Sequence, residues 1–168
     1  MSIMKHISSI IARIGVWFVI ASYGIMIVVT LIEVFRRYFF GQSFEWAEEL
    51  VRFLLVSSTF IGGSVAYKKA NLVFFDLLQN KLPKKKNDIL NVINSFIILL
   101  FLLGVLKLGI DYTASPSIML QKSPGLGMPM LIPYGAIPLG ILFMVIFTVE
   151  NLLERLQSVL GKGGNEIC

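Results

Sequence analysis

The chain has 168 residues, 56% of them hydrophobic, a formal net charge of +5 and a mean hydropathy of +0.80. Soluble domains average roughly 45–50% apolar residues, so this composition excludes an ordinary water-soluble fold, and the surplus of basic residues is a question of loop placement rather than of nucleic acid. A single cysteine, Cys168, excludes a disulfide framework within the chain.

Ile14–Ile32 runs for 19 residues without a charge, and a helix needs about 20 apolar residues to cross a hydrocarbon core of roughly 30 Å. A first span is expected over about 11–35. Its apolar run exceeds the roughly 7–15 residues of a secretory signal core, and no A-x-A site follows it. The span is therefore expected to remain uncleaved. Glu33 near its end, like Glu150 near the end of the last span, is accounted for by exposure to headgroups.

A second span is expected over about 44–67, opening on the stretch FEWAEELVRFLLV. Glu45, Glu48, Glu49 and Arg52 precede fifteen uncharged residues, Phe53 to Tyr67. At about 100° per residue, with Glu45 at zero, Glu48 falls at about 300°, Glu49 at about 40° and Arg52 at about 340°. One helical face therefore carries all four charges, and it continues through Val56, Thr59 and Gly63. Phe53–Tyr67 supplies only about 22 Å at 1.5 Å per residue, so the charges reach the membrane boundary or below it. Glu48 and Arg52 form an i,i+4 pair in the favourable direction, but one arginine cannot neutralise three carboxylates. The surplus asks for Arg36 or Arg37 across the short loop, or for a basic group on another chain. Three readings fit the stripe: an acidic helix start favoured by the macrodipole, a proton or cation relay, and a docking face for another protein. Trp46 suits the interfacial aromatic belt.

The segment KKANLVFFDLLQNKLPKKKND follows. Wound as a helix over about 70–82, it puts Asp76, Gln79 and Asn80 on one face and Phe74, Phe75, Leu78 and Leu82 on the other, with Leu72 the exception. Such a helix would lie in the membrane surface, with Lys68, Lys69, Lys81, Lys84, Lys85 and Lys86 attracted to lipid headgroups. No cofactor is expected, and phospholipid is the small molecule these flanks would bind.

A third span is expected over about 89–110, with Lys107 and Asp111 pairing at its end, and a fourth over about 130–153. Between them lie Pro116, Pro124, Pro129, Pro133 and Pro138, which with several glycines forbid a regular helix before about Met130. Such a loop would suit a partner. The expected fold is thus an all-α membrane protein of one four-span domain with an amphipathic interfacial helix.

With the N-terminus inside, the inner segments hold Lys5, Arg13, Lys68, Lys69, Lys81, Lys84, Lys85, Lys86, Arg155 and Lys162, and the outer loops only Arg36, Arg37 and Lys122. That bias places both termini in the cytoplasm. His6 is the only histidine, and no phosphate-binding G-x-x-x-x-G-K-[ST] occurs, so neither a histidine-based catalytic set nor nucleotide hydrolysis is expected.

The order E-W-A-E-E-x-x-R, then Val73 to Leu77 with Asp76, then PYGAIPLG with Pro133, Tyr134, Pro138 and Gly140, resembles the small membrane subunit of TRAP (tripartite ATP-independent periplasmic) transporters, the DctQ-like family. Where relatives often carry G-x-H before the V-x-x-D segment, this chain has Ala70, Asn71 and Leu72, so no histidine stands there. The resemblance implies a non-catalytic inner-membrane scaffold subunit of a sodium-coupled importer of an organic acid, of the dicarboxylate or sialic-acid class. It implies two partners, a large permease subunit on a separate polypeptide and a periplasmic substrate-binding protein. The expected interface with the large subunit comprises Glu45, Trp46, Glu48, Glu49, Arg52, Val56, Thr59 and Gly63, and Lys122, Pro124 and Pro129 would help to dock the binding protein. The rival from another class is a self-sufficient proton-coupled carrier or multidrug exporter acting as an oligomer, with Glu48 or Glu49 as its binding carboxylate.

Overall fold

A computed structural model describes residues 2–70 and 84–162. The expected interfacial helix and Lys81 lie outside the described residues, as do the side chains of Lys84, Lys85 and Lys86. The described chain is all helical apart from its loops: α1 (Ser2–Phe40), α2 (Glu45–Ala70), α3 (Lys84–Thr113), the short α4 (Pro116–Met119) and α5 (Leu131–Lys162).

Four of these are long and apolar enough to cross a membrane, over Met4–Phe40, Glu45–Lys69, Leu90–Thr113 and Leu131–Gln157. The helices extend beyond the apolar runs because nothing in the flanking residues stops them. Residues 2–13 contain neither proline nor glycine, so α1 starts well before its expected edge. It ends where Gly41 takes φ 64° and its N–H closes on the carbonyl of Arg37 at 3.1 Å, the left-handed C-terminal stop that glycine tolerates. The 37-residue span of α1 is about 55 Å long at 1.5 Å per residue, so it must tilt or project beyond the bilayer.

The spans pack as a row in the order α1, α2, α5, α3, with a smaller contact between α1 and α5. Small residues set the seams. On α1 the buried positions are Ser8, Gly15, Ser22 and Met26, spaced at the seven-and-four-residue intervals of one helical stripe. On α3 they are Ser95, Leu102 and Thr113. At the centre, Gly140 of α5 lies so close to α2 that a Cβ there would sit 2.7 Å from the Phe60 carbonyl. Small residues permit this approach, and in lipid close packing is a main source of helix association. The most buried large side chain among the described residues, Phe147, also belongs to α5. Away from the seams the helices present apolar surface, including Trp17, Phe35, Phe96 and Phe101. A membrane protein offers such surface to lipid or to another subunit.

Two clusters mark opposite ends of the helices along their length. The terminal end carries residues near both chain termini. The hairpin end carries the α1–α2 connection and the α4–α5 loop.

At the terminal end, Lys68 turns inward rather than toward lipid. Its Nζ donates to Ser8 Oγ at 2.6 Å, lies 5.0 Å from the Phe147 ring centre and is 3.8 Å from Glu150. Glu150, only 14% exposed at its side chain, is therefore not held at the headgroups as its position suggested. Desolvation favours this arrangement, since each charge approaching the core needs an opposite partner. Lys69 stays exposed. Beside the cluster, Tyr67 and Thr148 hydrogen-bond at 3.0 Å, and Lys5 pairs with Glu154 at 2.8 Å.

Candidate functional site

At the hairpin end the charged stripe of α2 divides along its length. Glu45, Glu48, Arg52 and Thr59 are exposed, whereas Glu49, Val56 and Gly63 are half-buried. The division follows helical angle. The exposed four lie between about −60° and 0° from Glu45, and the half-buried three between about 0° and 40°. The edge of the α2–α5 contact therefore runs through the stripe. A methyl group on Gly63 would stand 3.5 Å from Met144 of α5.

Glu49 is answered inside the chain, by neutral groups. One carboxylate oxygen accepts the Ser123 hydroxyl at 2.5 Å, the Gly125 N–H at 3.0 Å and the Leu126 N–H at 2.9 Å. The loop is folded to deliver them. Ser115 precedes α4, which starts with Pro116 at its first position, where the missing N–H costs nothing. Beyond α4, an isolated antiparallel bridge joins Lys122 to Pro129. The Ser123 N–H bonds the Met128 carbonyl at 2.9 Å, and the Met130 N–H bonds that of Gln121 at 3.0 Å. Gly127, at φ 66°, makes the reversal, a backbone state that glycine enters freely. Gly125 comes so close to α2 that a Cβ would lie 2.8 Å from the Glu49 carboxylate and 2.9 Å from the Glu45 carbonyl. Lys122, Pro124 and Pro129 sit exposed on this hairpin, while Ser123 is 3% exposed beneath it.

The remaining charges go elsewhere. Arg52 pairs with Glu48 at 2.8 Å, both side chains being well exposed. Glu33, expected at the headgroups, accepts the Phe44 N–H with both oxygens, at 3.0 and 3.1 Å. Phe44 immediately precedes α2, so this carboxylate satisfies a donor at the helix start, the role usually taken by a capping side chain. Arg36 lies over the Phe44 ring at 3.5 Å, and Phe44 packs on Trp46 at 5.3 Å between ring centres. Neither Arg36 nor Arg37 forms an ion pair with the stripe. Lys107 and Asp111 do not pair either. Both are exposed, and an exposed i,i+4 pair is worth only about 0.3–0.5 kcal/mol, less with the basic residue placed first.

The loop amides that hold Glu49 leave no mark in the sequence, because backbone donors carry no side-chain signature. The available sign was the S-P-G-L-G run, whose proline and glycines mark a tight turn, set against an acidic residue in surplus.

An all-helical four-span chain with this polar helix start and proline-rich hairpin belongs to a defined class of transporter component. Over residues 26–158 it matches the family described as the tripartite ATP-independent periplasmic transporters, DctQ component, and it is a member of that family. Similar proteins include the sialic acid TRAP transporter permease protein SiaT of Haemophilus influenzae (strain 86-028NP), 30% identical over 107 residues, which are 64% of this chain and 17% of that protein. The isethionate TRAP transporter permease protein DctMQ of Oleidesulfovibrio alaskensis (strain ATCC BAA-1058 / DSM 17464 / G20) is 25% identical over 112 residues, 67% of this chain and 18% of that protein. The chain thus spans less than a fifth of the length of these relatives. It is a multi-pass membrane protein and a component of a transport system.

Proposed function

We propose that this chain is the non-catalytic scaffold subunit of a sodium-coupled TRAP transporter in the inner membrane, with both termini cytoplasmic. The large permease subunit covers the exposed part of the α2 stripe, Glu45, Glu48, Arg52 and Thr59. A periplasmic binding protein delivers an organic anion to the assembly and touches the hairpin around Lys122, Pro124 and Pro129. The observation that carries this reading is the open Glu48–Arg52 pair on a spanning helix. Charges on a membrane helix are expensive unless they meet headgroups, water or protein, and Thr59 continues the same face toward the bilayer interior. The substrate class is supported by the relatives, one named for sialic acid and the other for isethionate, both organic acid anions. Lipid binding at the outward lysines, Lys69 among them, belongs to the same proposal.

The test is assembly. The tagged chain should retain the large permease on purification, and Arg52→Ala should release most of it while leaving the helical content unchanged. Reconstituted alone the chain should not transport, whereas the chain with permease and binding protein should. Transport by the purified chain alone would favour the self-sufficient carrier and overturn the scaffold reading.

A further inference from the structure

Two grooves open at the hairpin end and share Phe44. One, of about 430 Å³, holds the charged side chains Glu33, Arg37, Glu45 and Glu48 among apolar wall residues such as Val29 and Val51. The other, of about 590 Å³, is lined by Ile32, Phe35, Phe39, Phe40 and Phe44, with Arg36 and Gln42 as its polar members. The adjacent arginines therefore part company, Arg37 into a groove rich in carboxylates and Arg36 into one without any.

Arg36 is held but not neutralised. Its guanidinium stacks on Phe44 at 3.5 Å, a cation–π contact that fixes the plane while leaving the edge donors free. None of the ion pairs among the described residues includes it. A planar fork of donors suits a phosphate, which it binds through two parallel hydrogen bonds. The trough beside it requires hydrocarbon: Phe35, Phe39 and Phe40 are 62, 70 and 76% exposed. An inorganic anion would leave the trough empty, and an alkyl chain alone would leave the arginine unanswered. A phospholipid supplies both in one molecule, and the exposed Tyr38 and the Trp46 packed on Phe44 are the residue types that mark the headgroup region.

We propose that this groove binds one phospholipid, with its phosphate on Arg36 and an acyl chain lying between Ile32, Phe35, Phe39 and Phe40. The site is distinct from the lysine-rich cytoplasmic segment and recognises the lipid in the leaflet at the hairpin end. Gln42 at the rim adds a side-chain amide for the ester or headgroup oxygens.

The experiment is native mass spectrometry of the full chain, delipidated in detergent and then supplied with phosphatidylethanolamine or phosphatidylglycerol. A single retained lipid is expected on the wild type. Arg36→Gln should lower its occupancy about tenfold, the loss appropriate to one charge-assisted contact, while Arg36→Lys should recover part of it. Arg37→Gln, in the neighbouring groove, should leave occupancy unchanged. Ile32→Trp, which fills the trough without touching the arginine, should also reduce retention. Equal retention by wild type and Arg36→Gln would overturn the proposal, because it would identify annular lipid. So would equal retention of a fatty acid that lacks phosphate, which would make the groove merely apolar.

Discussion

The two ends of α2 both carry charge toward neighbouring helices, but they resolve it in different ways. At the terminal end, Lys68 is enclosed by Ser8 of α1 and by Phe147 and Glu150 of α5. Three helices contribute, and the cluster is closed within the chain. At the hairpin end, Glu49 is enclosed by a loop, but Glu48 and Arg52 beside it stand open with only each other. The closed end therefore serves this chain's own stability. The open end leaves its charge uncovered, as the proposed docking of a large subunit requires. Adjacent residues, Glu48 and Glu49, fall on opposite sides of that boundary.

Substitutions can break each side separately. The largest effect on folding is expected at the seam between the two ends. Gly140→Ala brings a Cβ to 2.7 Å from the Phe60 backbone, and overpacking of this kind costs about 1–3 kcal/mol. Thermal unfolding in detergent should show it. Gly104→Ala on α3, where nothing lies within 4 Å, should be neutral or slightly stabilising, since alanine exceeds glycine in helix propensity by about 1 kcal/mol. If both variants behaved alike, the close α2–α5 approach would be wrong.

Next in size comes the closed cluster. Lys68→Met should destabilise by about 1–2 kcal/mol, less than for a fully buried pair because both partners keep some exposure and stand 3.8 Å apart. Adding Glu150→Gln should recover part of the loss, and a double-mutant cycle measures the coupling directly. Additive losses would show that Glu150 is held by something other than Lys68.

Glu49→Ala acts on the loop more than on the bundle. It removes the common acceptor of the Ser123 hydroxyl and of two backbone amides, so hydrogen exchange at Gly125 should accelerate toward that of an unprotected loop, and less so at Leu126, whose N–H also reaches the Ser123 hydroxyl oxygen at 3.1 Å. Glu49→Gln, which keeps an acceptor oxygen without the charge, should fall between. Unchanged exchange in Glu49→Ala would mean that the hairpin holds itself. The smallest loss of folding stability belongs to Arg52→Ala, about 0.2–1 kcal/mol or less for an exposed pair. The same variant is expected to have the largest effect on assembly with the permease, and that inversion is the sharpest test of the contrast between the ends.

The four spans were legible because their apolar runs are long and interrupted by lysines and prolines. Their order in the row was not. Adjacency depends on where Ser8, Gly15, Gly140 and Ser95 permit close approach, and small residues occur on several faces of the same helices. The charged stripe was legible as one face, and Glu45, Glu48, Arg52 and Thr59 are indeed exposed together. An arc of about 100°, however, is as wide as a helix contact, so the α5 seam could cut through it and turn Glu49 and Gly63 inward. Lys68 and Glu33 were misplaced for a related reason. Their positions at span ends suggested water and headgroups, whereas their partners, Ser8 and the Phe44 amide, lie far off in sequence or in the backbone.

The row of helices has one further consequence. At roughly 8–10 Å between neighbouring axes, a row of four helices is a plate wider than it is thick, even where the contact between α1 and α5 folds it inward at one end. Turned within the bilayer, such a plate must push lipid aside along its whole breadth, as a keel pushes water. A compact bundle of the same mass would spin far more easily. Whatever is fastened along one of its broad sides would acquire that reluctance to rotate.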